Sequence, residues 1–179
     1  MITWSSIQLR MDLLTPIKNI ASWFNKIPLN PQLGIRTQHP NDWITEERQG
    51  DSENSHIVAF LSQSDDSFED RIIIEITDLS AERNIVLDNY VHNHVEDLIR
   101  KTPKSLNFTL IESLPILISG TPGKRIIYKI ESEPGLERKT SEVILISNHK
   151  LYGIVYLAET TKYNDYLQTA QKIIDSFRI

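Results

Sequence analysis

Asp88, His92 and Glu96 recur four residues apart, so within a helix they share one face. A histidine and carboxylates spaced by one turn can ligate zinc or manganese once further groups complete the shell. The same spacing also makes a solvated helix face held by weak one-turn pairs, and the sequence favours that plainer reading. His94 falls on the apolar side of the same segment, where a core histidine with a hydrogen-bond partner is expected. Asp65, Asp66, Glu69 and Asp70 cluster in one polar stretch and offer the oxygens that calcium takes. They lack the EF-hand spacing and its turn glycine, so they read as a solvated hairpin tip, as do Glu46, Glu47, Asp51 and Glu53.

Gly120-Thr121-Pro122-Gly123-Lys124 resembles a phosphate loop only superficially. Such a loop needs four residues between its glycines, then Lys-Ser or Lys-Thr, then a helix. Here an arginine follows the lysine and strand-like sequence comes next, so a turn is expected, with both glycines at positive φ. There is no G-x-S-x-G elbow, and His39, His56, His92, His94 and His149 are scattered over unlike segments. The carboxylates sit in polar loops, not in an apolar stretch that would raise a pKa. No catalytic residue is assigned, and the chain is expected not to be an enzyme. Lys124, Arg125, Lys129, Arg138 and Lys139 are the one basic concentration, around a single hairpin. They suit docking on an acidic protein partner, with Lys124, Arg125, Arg138 and Lys139 steering the approach. Protection of a strand edge by charge is the alternative.

The rest of the composition narrows the classes. The chain has 179 residues, a net charge of −5 and no cysteine. An acidic chain without a basic stripe is a poor general nucleic-acid binder. Absence of cysteine rules out disulfides, thiolate zinc sites, iron–sulfur clusters and a cysteine nucleophile. No run of 18 apolar residues is long enough to span a bilayer as a helix. The first residues lack the pattern of a signal peptide, so the chain as written reads as cytoplasmic.

Residues 1–28 form an amphipathic N-terminal extension. Ile7, Met11, Leu14, Ile17, Ile20, Trp23, Phe24 and Ile27 recur at helical spacing, and Pro16 should kink the helix. Three positive charges against one negative set this segment apart from the acidic remainder. Trp4, Trp23 and Phe24 are its expected anchors on a membrane surface or a partner. Residues 29–32 read as a linker, and residues 33–179 as the folded domain.

Strands are expected at Leu33–Thr37, Trp43–Glu47, His56–Ser62 and Arg71–Thr77, then a helix over Leu87–Lys101. Two short extended pieces, Asn107–Ser113 and Pro115–Ser119, flank Leu114-Pro115. Strands over Lys124–Glu131, Thr140–Ile146 and Leu151–Glu159 are separated by turns at Pro134-Gly135 and Asn148-His149. Leu151 to Ala158 shows no polar alternation and is predicted to be a central strand. A last helix places Tyr163, Tyr166, Leu167, Ala170, Ile173, Ile174 and Phe177 on one face. Two amphipathic helices and a sheet apolar on both sides predict an α+β fold. Its form is an α/β/α sandwich, a mainly antiparallel sheet covered by helices on both faces.

The segments Gly34-Ile35-Arg36-Thr37-Gln38-His39-Pro40-Asn41-Asp42-Trp43, Val58–Ser62, Leu87–Val91, Ser119–Tyr128, Leu151–Ala158 and Ile174–Ile179 resemble, in order and spacing, the PsbP family. These are the extrinsic subunits of photosystem II and their relatives, and the resemblance covers about residues 33–179. It implies the same α/β/α sandwich and a non-enzymatic role. That role is docking at a protein complex, in the photosynthetic branch photosystem II at the thylakoid. There it helps retain calcium and chloride at the oxygen-evolving complex. Members of one fold serve unlike roles, and the alternative is a cytoplasmic regulatory or ligand-sensing module of a signalling protein.

Overall fold

The computed structural model describes residues 33–50, 52–62, 71–81, 84–132 and 136–179. Trp4, Trp23 and Phe24, the linker 29–32, Asp51, the acidic stretch with Asp65, Asp66, Glu69 and Asp70, and the Pro134-Gly135 turn lie outside the described residues.

Apolar alternation and continuous β-branched runs give seven strands among the described residues. They are β1 (Ile44–Gln49), β2 (Ser55–Leu61), β3 (Arg71–Asp78), β4 (Asn107–Ile118), β5 (Thr121–Ser132), β6 (Leu136–Ser147) and β7 (Lys150–Glu159). All lie in one sheet, ordered β1-β2-β3-β7-β6-β5-β4, and every neighbouring pair is antiparallel. Two helices occur among the described residues, α1 (Leu87–Lys101) and α2 (Tyr163–Ser176). The chain lays down β1 to β3, crosses through α1 to the far edge, and walks back from β4 to β7. The two meanders meet where β3 pairs with β7.

Side chains on a strand alternate between its faces, and here both sets are apolar. Ile73 and Val155 share one core with Val91 and Leu98 of α1. Ile74, Ile154 and Tyr156 share another with Ala170 and Ile173 of α2. α1 packs on β5 and β6, and α2 on β7. Each fully buried aliphatic side chain stabilises the fold by about 1.5–3 kcal/mol. Ile72, Ile74, Ile144 and Ile154, at 0% exposure, are among the largest contributors. Leu151 through Ala158 is buried throughout, as a central strand without alternation requires.

Three expectations are corrected. Leu33–Thr37 is not a strand of the sheet. Gly34 turns at φ 70, and Arg36 then bridges Arg178 through N–H···O bonds of 2.9 and 2.8 Å. Thr37 Oγ1 donates to the Ile173 carbonyl at 3.1 Å, so the segment straps the end of α2. The two pieces around Leu114-Pro115 are one strand, β4, with a bulge between Leu110 and Glu112. An edge strand tolerates a proline because not every N–H feeds a ladder. The turn before β5 is Ser119-Gly120, at φ 52 and 81. Gly123 lies within β5, and any Cβ there would meet the Ile144 carbonyl oxygen at 3.0 Å, so close approach, not positive φ, calls for glycine. Asn148-His149 is a tight turn with φ of 50 and 57, as its asparagine predicts.

Candidate functional site

The basic hairpin is built by β5 and β6, whose register sets Lys124 opposite Ile144, Arg125 opposite Val143, Lys129 opposite Lys139 and Ile130 opposite Arg138. Alternation therefore divides the four predicted docking residues between two faces. Lys124 and Arg138 share the α1 face with buried Ile126 and Ile144, whereas Arg125 and Lys139 share the α2 face with Val143. Lys124 Nζ lies 2.7 Å from Asp88 Oδ1 of α1. Arg125 reaches Glu112 of β4 at 3.5 Å, and Lys139 Nζ sits 4.3 Å above the Tyr163 ring. Lys129 pairs with Glu131. The Tyr163 hydroxyl is pushed above its ordinary pKa by burial, which the nearby Ser141 hydroxyl and Arg125 charge oppose. On the α2 face, Arg125, Lys129 and Lys139 thus form a positive row over a tyrosine, ringed by Glu112 and Glu131.

Asp88, His92 and Glu96 are all exposed on α1, as their spacing predicts. Asp88 is engaged by Lys124, and no group of three or more metal-ligating side chains occurs among the described residues. Glu46 and Glu47 lie on β1 and Glu53 in the hairpin that follows.

The histidines each keep separate company. His39 stacks on Phe60 at 4.7 Å, and His56 faces Glu47 at 3.7 Å. His94 is buried at 6% exposure and points from α1 onto β6, where Glu142 is 1% exposed. Its Nε2 lies 3.1 Å from Oε2 and 3.0 Å from Oε1 of Glu142. The Tyr90 ring stacks beside it at 6.2 Å. Burial works against the imidazolium, but the Glu142 charge and hydrogen bond, with help from Asp97, outweigh it and raise the His94 pKa above its ordinary value. Both partners are sealed from solvent, so the pair clamps α1 to the sheet and offers no surface to a substrate. Spacing pointed to a partner for His94 without naming it. Glu142 was missed, although a carboxylate at the head of the apolar run Val143-Ile144-Leu145-Ile146 has to find one once that strand is buried.

No known family pattern matches this sequence, and no curated protein matches it in sequence. Solved structures do share its fold. The cyanobacterial PsbP of Synechocystis sp. PCC 6803 is 13% identical, with a TM-score of 0.69 over 93% of this chain and 98% of that one. A Pseudomonas aeruginosa protein of unknown function, with a suggested regulatory role, is 14% identical, with a TM-score of 0.57 over 87% of this chain and 96% of that one. LpqN, involved in cell envelope biogenesis of Mycobacterium tuberculosis, is 14% identical, with a TM-score of 0.52 over 80% and 81%. At such identities the likeness is one of fold, and the fold is that of PsbP-like proteins.

Proposed function

We propose that this chain is a protein-docking domain of PsbP-like build, with no catalytic chemistry of its own. The supporting observation is the fold shared with cyanobacterial PsbP over nearly the whole length of both chains. In this reading the fold is an α/β/α sandwich. Two separate cores, drawn from alternate strand residues and each joined by one helix, support that arrangement. The docking partner is a protein complex, with photosystem II at the thylakoid as the first candidate and retention of calcium and chloride as the role. Trp4, Trp23 and Phe24 anchor the N-terminal extension, while Lys124, Arg125, Arg138 and Lys139 steer approach. Any metal held by Asp88, His92 and Glu96 (calcium, manganese or zinc) takes further ligands from outside the described residues.

A second reading, a regulatory module, is favoured by one observation. The Pseudomonas protein of suggested regulatory role has the same fold. Charge reversal separates docking from other uses of the hairpin. Arg125→Glu with Lys139→Glu reverses one face, and Lys124→Glu with Arg138→Glu the other. Capture of the partner complex from solubilised native membranes should fall at least about tenfold when all four are reversed. Unchanged capture by the fourfold variant would remove the hairpin from the docking surface.

A further inference from the structure

The two edges of the sheet are built in opposite ways. β1 is six residues long and carries Glu46, Glu47 and Arg48, charges that discourage strand addition. β4 is twelve residues long, spans about 40 Å, and carries a single charge, Glu112, which Arg125 of the neighbouring strand already meets. Phe108, Ile116 and Ile118 pack onto the cores, but four other apolar side chains face solvent: Leu110 is 42% exposed, Ile111 50%, Leu114 44% and Leu117 71%. A long edge with a single, paired charge and exposed leucines is a template for one more antiparallel strand.

We propose that this strand is β4 of a second copy, paired antiparallel across a two-fold axis near Ser113 and Leu114, so that two seven-stranded sheets become one of fourteen. Three features select a second copy. An antiparallel strand is complementary to itself about a two-fold axis, and such closed, isologous contacts are the commonest in homodimers. Self-pairing opposes no unpaired charges, because the one carboxylate is held within its own chain. The charged β1 edge disfavours head-to-tail addition of β1 to β4, so the assembly closes at two chains. Pro115 withholds one donor and the bulge at Ile111 bends the strand locally, which shortens the pairing without abolishing it. One strand pair is small beside the ~1,200–2,000 Å² buried by stable interfaces, so the dimer depends on concentration. This inference goes beyond the docking reading and does not depend on it.

The test uses the purified full chain. Its mass in sedimentation equilibrium should climb with concentration from 20.7 kDa towards twice that value. Leu114→Lys with Leu117→Lys, both at exposed positions, should hold it at one chain with an unchanged circular dichroism spectrum. The absence of native cysteine allows clean single spin labels. Distances between copies should be shortest from Ser113→Cys and longest from Arg48→Cys on β1. A chain that stays monomeric up to its solubility limit overturns the proposal and leaves the edge to a strand from another protein. A dimer that survives the lysine substitutions, or is closest at Arg48→Cys, overturns it too.

Discussion

His94 and Glu142 stand 48 residues apart in the chain and meet at 3.1 Å in the core. Their energetics follow from burial. Removing one partner of a buried pair leaves the other desolvated and uncompensated, at about 3–5 kcal/mol. Glu142→Ala should lose that much in urea unfolding, while His94→Leu with Glu142→Leu should lose far less. The pH dependence has a definite sign. Because the folded-state pKa of His94 is raised, its stabilisation is complete below the ordinary 6.5 and is lost as pH rises through the raised value. Stability of the Glu142→Ala variant should lack that fall. Equal costs for the single and double changes, or the same pH profile in both proteins, would contradict the clamp. Helix spacing made the burial of His94 legible. It could not reveal Glu142, because the contact depends on how α1 lies over β6. The basic hairpin shows the same limit. Lysines and arginines could be counted along the chain, but only the β5–β6 register reveals that Lys124 and Arg125 serve opposite faces.

Elements were legible where one periodicity ran without interruption. α1 occupies Leu87–Lys101 as predicted, because Leu87, Val91 and Leu98 mark one face and Pro103 ends it. β7 was placed at the sheet centre by its unbroken apolar run. The readings failed where a local residue overrode the pattern. Gly34 detached Leu33–Thr37 from the sheet, whereas Pro115 was read as a break that the edge strand does not make. Helix termini are a further weak point of the fold. Val86 occupies the N-cap of α1 in extended conformation, is 56% exposed, and supplies no side-chain acceptor to the first turn. Val86→Ser would satisfy one of those N–H groups and should raise unfolding stability by about 1 kcal/mol. No gain in thermal or urea midpoint would mean that the first turn of α1 is already satisfied in another way.

At the scale of the whole molecule, the sheet has a charged short edge and an apolar long edge, with a basic hairpin beside the latter. In the proposed reading these features are surfaces for other chains. The overall α+β class could be read because amphipathic helices and two-sided apolar strands leave few arrangements that bury both. Function could not be read as far, because partners recognise surface shape and charge that fold alone does not specify. The most direct measurement is affinity purification of the tagged full chain from its native membranes, in mild detergent and low salt, with partners quantified by mass spectrometry. The account predicts a protein complex in stoichiometric yield, released as rising ionic strength screens the basic hairpin. Recovery of the chain with no partner other than itself, at any ionic strength, would contradict docking as its function.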